Sequence, residues 1–321
     1  MRKALAVGIN EYPGAPLNFC VNDAAAIGTL LSTNGDGSPN FDVRLARNTK
    51  TKSELKSLIV ELFQGASETT LLYFSGHGFL NELGGYIVTP DYTKYDEGIP
   101  MSEILELANQ SKAKDKIIIL DCCHSGAMAA PSISGNLSPL REGVSILTAS
   151  KSDEAAIEVN GHGIFTNLLI DALNGGAGDL RGYISPGGIY AYIDQALGAW
   201  DQRPVFKTNV TRFTSLRKII PQVAIETIRL ITQYFPNPTD EFRLDPSFED
   251  TNNPKIDHKV VEPYSKPENT IVFKHLQKLQ SVGLIVPTGE EHMYFAAMNS
   301  KSCHLTALGY HYWRLVTDKR I

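Results

Sequence analysis

The stretch "TLLYFSGHGFLNELGG", residues 70–85, decides the reading of this chain. An apolar run stops abruptly at Ser75-Gly76-His77-Gly78, so that one histidine is presented between two glycines. A second stretch behaves alike. In "KIIILDCCHSGAM", residues 116–128, an apolar run ends in Asp121, two adjacent cysteines, His124 and a small-residue turn. Short apolar runs closed by turn residues read as strands buried on both faces. In open sheets of such strands, ligand sites lie at the carboxyl ends. Both stretches place their polar residues there.

Residues 1–215 alternate strand-like and helix-like segments. "KALAVGI", "DVRLA", "TLLYFS", "GYIVTP", "KIIILD" and "VSILTAS" are the strand candidates. Between them, "SELKSLIVELF" sets Leu55, Leu58, Ile59 and Leu62 on one helical stripe, with Ser53 as the expected N-cap. "NDAAAIGTLLS", "MSEILELANQ", "IFTNLLIDALNGG" and "GIYAYIDQALGAW" are similar. This alternation predicts an α/β fold with a mostly parallel sheet covered by helices. Residues 216–268 carry one helix candidate, "QVAIETIRLITQYF", then a Pro-, Asp- and Asn-rich connector. Residues 269–321 read as helix, short strand, hairpin strand ("HMYFAAM") and helix, a pattern that resembles a winged helix.

The bulk numbers exclude several classes. The 321 residues carry a net charge of −5, which argues against a general polyanion binder. Residues 221–321 hold 11 Lys and Arg against 12 Asp and Glu, without the basic excess of a DNA reader. No apolar run approaches a membrane span. "MRKALAVGIN" reads as a first core strand rather than a signal peptide. Four cysteines, two of them adjacent, point to a reducing, cytoplasmic setting.

A thiol becomes a strong nucleophile only as a thiolate, and a nearby imidazole favours that form. A Cys-His pair therefore suits acyl transfer, peptide hydrolysis above all. If "TLLYFS" and "KIIILD" are neighbouring parallel strands, His77 and one of the two cysteines leave the sheet on the same edge. The N–H groups of Gly78 and of the nucleophilic cysteine could then form an oxyanion hole. Zinc held by His77, Cys122, Cys123 and His124 is rejected, because adjacent ligands fit a tetrahedron poorly. His162 in "NGHGI" is taken as a turn residue.

"YFSGHG", followed 46 residues after its histidine by "DCCHSG", resembles the caspase-like cysteine peptidases, most of all their metacaspase and orthocaspase branch. The resemblance covers about residues 1–215 and implies a caspase-like α/β/α sandwich. It implies His77 as acid/base and Cys123, directly before His-Ser-Gly, as nucleophile, with Gly78 and Cys123 as the oxyanion hole. It also implies that Cys20, Asp23, Ser75 and Asp121 line a pocket for Arg, with Lys second. Paired carboxylates suit a guanidinium and reject an acid. For Asp23, N-capping of the helix it opens is a competing role.

Many metacaspases bind calcium. Here Asp91, Asp96, Glu97 and Glu103 remain, but "HSGAMAAPS" has no acid, and hard cations want six or more oxygens. A poor calcium site is expected, with no cofactor and another form of control. Arg141 is the basic residue of the loop that relatives often cut, so it is the candidate for self-cleavage. The expected partners are protein substrates, plus a small-molecule signal or partner protein acting through residues 216–321. The chain looks like bacterial caspase-like peptidases, many of which act in stress responses or anti-phage defence, so the resemblance implies such a role. A silent scaffold that keeps the fold is the alternative.

Overall fold

The computed structural model describes residues 1–122, 140–149, 158–159, 162–197, 204–255 and 260–321. They divide into two units, Met1–Ile220 and Pro221–Ile321. Among the described residues, no helix is long and apolar enough to cross a membrane.

In the first unit the strands are β1 (Arg2–Gly8), β2 (Asp42–Arg47), β3 (Thr69–Ser75), β4 (Gly78–Asn81), β5 (Gly84–Thr93), β6 (Asp96–Pro100), β7 (Asp115–Asp121), β8 (Val144–Thr148), β9 (Glu158–Val159), β10 (His162–Gly163), β11 (Tyr183–Ile184), β12 (Val205–Asn209) and β13 (Arg217–Lys218). The helices are α1 (Cys20–Ser32), α2 (Lys52–Phe63), α3 (Met101–Gln110), α4 (Ile164–Asp171) and α5 (Pro186–Ala196). The central sheet has six strands in the order β12-β8-β7-β3-β1-β2. All neighbours run parallel except β12, which lies antiparallel to β8.

The apolar runs follow from burial on both faces. Successive side chains alternate across a strand. Leu72 and Phe74 of β3 join Ile118 and Leu120 of β7 in one core with α2 and α3. Leu71 and Tyr73 join Ile117 and Ile119 in the other, with α1, α4 and α5. This is the α/β architecture that the alternation predicts.

Three local expectations change. "GYIVTP" forms β5, but in a separate antiparallel sheet, β4-β5-β6. Its burial alternates, with Gly85, Ile87 and Thr89 inward, as in a strand with one wet face. Helix α2 is capped by Thr51 rather than Ser53. Thr51 Oγ1 accepts from the N–H of Glu54, and the Glu54 carboxylate reaches back to the N–H of Lys50. The "QVAIETIRLITQYF" helix is two short pieces, α6 (Ile225–Arg229) and α7 (Ile231–Tyr234), in a stretch weakened by β-branched residues.

The second unit continues with β14 (Glu241–Arg243), α8 (Pro267–Ser281), β15 (Ile285–Thr288), α9 (Met293–Met298), β16 (Ser302–Leu305) and α10 (Ala307–Thr317). Its sheet is antiparallel, in the order β14-β16-β15. "HMYFAAM" is therefore helix α9 and not a hairpin strand. Met293, Ala296 and Ala297 are buried at helical spacing, while Tyr294 and Phe295 are both exposed, which a strand's alternation does not give.

Candidate active site

The two motifs meet through strand register. In β3 and β7, Ser75 pairs with Asp121, and Gly8 of β1 pairs with Ser75. These three residues line up at the carboxyl edge of the sheet. His77 follows Ser75 by two residues, and Cys123 follows Asp121 by two. Cys123 and His124 lie outside the described residues. Cys122 is buried in the core shared with α2 and α3.

His77 is held at three points. Its backbone N–H donates to the Tyr12 hydroxyl at 3.1 Å, and its carbonyl accepts from the N–H of Val88 at 2.9 Å. Its ring Nε2 lies 2.8 Å from the carbonyl oxygen of Ala15. A carbonyl only accepts, so Nε2 carries a proton and Nδ1 is the nitrogen left to exchange one. The Tyr12 ring meets the imidazole edge-on, with centroids 4.6 Å apart. Burial drives the Tyr12 phenol well above its ordinary pKa, so it stays protonated and donates to the Val88 carbonyl. Gly76 is required by contact. A Cβ there would lie 2.5 Å from the Tyr12 hydroxyl.

Ala15 is held in turn by Tyr12, whose carbonyl accepts its N–H at 3.4 Å, and Asn10 fastens the residues around it. The Asn10 carbonyl accepts from Leu17, its side-chain oxygen accepts from the N–H of Val21, and its amide donates to Asn18. The 10–21 segment is thus fastened between the end of β1 and the start of α1. Gly8 lets α1 approach: a Cβ at that position would fall 2.1 Å from the Cys20 carbonyl oxygen.

Cys20, Asp23, Ser75 and Asp121 come together. Asp23 is 3% exposed and accepts from Ser75 Oγ at 3.1 Å. It is not the N-cap of α1, a place taken by Phe19. It sits in the first turn instead, where a negative charge suits the helix dipole. Ser75 also bonds the Cys20 thiol. Burial pushes that thiol up to about 12, with Asp23 and Asp121 opposing its ionisation. Burial likewise raises the Asp121 carboxyl to about 6; Thr166 opposes that rise and Asp23 adds to it.

Further polar residues, unassigned from sequence, complete the cluster. Thr166 Oγ1 donates to Asp121 Oδ2 at 2.5 Å, and so must accept from the Tyr73 hydroxyl, also at 2.5 Å. His162, read as a turn residue, instead places Nδ1 2.6 Å from Asp23 Oδ1. Its signal was the repeated Gly-His-Gly at the mouth of α4. The carbonyl of Ala15 left no side-chain signal at all.

Arg141 is exposed and lies just ahead of β8, its N–H bonded to Asn109. That is the amino edge of the sheet, opposite His77. The carboxylates considered for calcium are engaged elsewhere. Asp91 accepts from the backbone N–H of Lys52, Asp96 pairs with the Lys52 ammonium and Glu103 with that of Lys56. Glu97 accepts from the N–H of Tyr95. Among the described residues, no group of three or more His, Cys, Asp or Glu could hold a metal ion.

No curated relative matches the chain. Among solved structures it is similar to protein GSU0716 from Geobacter sulfurreducens, at 16% identity and a TM-score of 0.50. That match covers 68% of this chain and 99% of the other. It is also similar to caspase-1 from Spodoptera frugiperda, at 14% identity and a TM-score of 0.49, over 68% of this chain and 90% of the other. A parallel sheet that delivers a histidine motif and a cysteine motif from adjacent strands fits the family model described as "Caspase domain". That model matches residues 1–212, and the chain belongs to the caspase-domain family.

Proposed function

We propose that this chain is a cysteine endopeptidase that cleaves after Arg, and after Lys more slowly. Family membership supports the peptidase class. The observation that supports the residue assignment is the Ser75–Asp121 register pair on adjacent parallel strands about 5 Å apart, each two residues ahead of His77 or Cys123 in the sequence. In this reading His77 Nδ1 takes the thiol proton of Cys123. The thiolate attacks the scissile carbonyl carbon, and the N–H groups of Gly78 and Cys123 meet the oxyanion. The C–N bond breaks as His77 returns the proton to the leaving amine. Water then attacks the thioester by the same route and restores the thiol.

The pocket preference rests on charge. Asp23 and Asp121 offer two carboxylates in a desolvated setting, which favours a guanidinium and repels a substrate acid. Residues 216–321, with their winged-helix-like part at 269–321, are the proposed receiver of an activating signal, in a bacterial stress or anti-phage response. Substrate is expected to need no metal.

A thiol-reactive peptide probe with Arg at its recognition position tests the assignment. Labelling should fall on Cys123 and vanish in Cys123→Ser. Cys20 and Cys303 should stay unlabelled, since burial pushes both thiols up to about 12. A folded protein that takes no label at Cys123 would leave a silent scaffold as the better reading.

A further inference from the structure

The segment from His162 to Thr166 spans both carboxylates of the acidic cluster. His162 Nδ1 meets Asp23 Oδ1 at 2.6 Å, and Thr166 Oγ1 meets Asp121 Oδ2 at 2.5 Å. Between them, a Cβ added to Gly163 would lie 3.5 Å from Asp121 Oδ2. A carboxylate only accepts, so His162 Nδ1 carries a proton and Nε2 is the nitrogen that exchanges one with solvent. The His162 side chain is 22% exposed, whereas that of Asp23 is 4% exposed. The imidazole thus stands where solvent reaches the buried acid.

We propose that His162 is a specificity-determining, positioning residue: neutral, it holds Asp23 in place for a substrate cation; protonated, it cancels one of the pocket's two negative charges. The inference rests on the basic-residue pocket proposed above. Imidazole is the side chain that ordinarily changes charge between about pH 5 and 8. With His162 neutral and both acids ionised the pocket holds two negative charges. With imidazolium it holds one. Among the described residues, Asp23 of α1 meets His162, Ser75 donates to Asp23 from the other side, and Cys20 lies within charge range of Asp23. Asp121 of β7 lies beyond Gly163, Glu158 of β9 pairs with Gly163 through the backbone, and Asp171 is at the far end of α4. Cys20 stays a neutral thiol, and Asp121 takes its own proton near pH 6. An imidazolium 2.6 Å from Asp23 would leave the pocket a weaker hold on a cation than the neutral ring does.

The test compares paired peptides that differ only in Arg or citrulline before the scissile bond. Citrulline keeps the shape and loses the charge. Both peptides meet the same nucleophile and base, so titration of the catalytic groups cancels in the ratio of their kcat/KM values. The ratio is measured from about pH 8 to about pH 5.5 in the full-length wild type, His162→Asn and His162→Gln. Asn can donate to Asp23 as Nδ1 does and never gains charge; Gln is the second neutral donor should Asn not fold. In the wild type the ratio should fall about tenfold further than in the neutral variants, the size of effect a neighbouring unit charge commonly has. Parallel falls in all three overturn the role of His162 and leave the pocket standing. A wild-type ratio near one at the alkaline end overturns the pocket, and this inference with it.

Discussion

The ring Nε2–H of His77 donates to the carbonyl oxygen of Ala15 across 2.8 Å, which leaves Nδ1 as the nitrogen that would take the thiol proton in the proposed mechanism. The 10–21 loop thus orients the proposed base as much as its own strand does.

Replacing Tyr12 by Phe tests that anchoring. The substitution keeps the edge-on ring contact and removes the hydroxyl that accepts the His77 N–H. An orphaned buried N–H costs about 1–3 kcal/mol. The expected outcome is a lower kcat with KM nearly unchanged, together with a loss of stability of that order by urea titration. His77→Ala should cost about 10²–10⁴-fold in kcat while the fold persists. A Tyr12→Phe enzyme with wild-type kcat would show that the anchor is idle.

Asp121 carries a linked effect of opposite sign on stability. Its folded pKa is raised to about 6, above the roughly 3.9 of a free Asp. Between those values the folded chain binds more protons than the unfolded one. Stability from this group is therefore fully present below about pH 3.9 and is lost as the pH rises through about 6. At neutral pH the ionised acid costs on the order of 2–3 kcal/mol. Asp121→Asn should raise the melting temperature at about pH 7.5 and lower kcat/KM on Arg substrates. A variant less stable at neutral pH than the wild type would contradict the sign.

Self-cleavage at Arg141 should occur between molecules. Arg141 precedes β8 at the amino edge of the sheet, and His77 follows β3 at the carboxyl edge. A seven-residue strand separates the two edges by roughly 20 Å. The rate of cutting at Arg141 should rise with protein concentration, and active enzyme should cut a Cys123→Ala chain there. A concentration-independent rate would place the reaction within one chain.

The strand-end motifs were legible because a strand buried on both faces leaves a continuous apolar run, and such a run stops where the strand leaves the core. Adjacent pairing of "TLLYFS" and "KIIILD" was conditional in the sequence and is seen in the register of Ser75 with Asp121. What escaped depends on long-range contact. His162 finds Asp23 139 positions away, and Thr166 finds Asp121 45 positions away. The Ala15 carbonyl is backbone, which no residue type announces. "HMYFAAM" misled because Tyr and Phe favour strands, while the buried Met293, Ala296 and Ala297 impose the helical period.

A Cys123 nucleophile beside an acidic pocket is tested most directly by a fluorogenic peptide panel with Arg, Lys, Asp or Ala before the scissile bond, run with calcium and with chelator beside Cys123→Ala. Arg cleavage is expected ahead of Lys, with none after Asp, indifference to chelator, and silence from the variant. Cleavage after Asp, or Arg cleavage that survives in Cys123→Ala, would contradict that assignment.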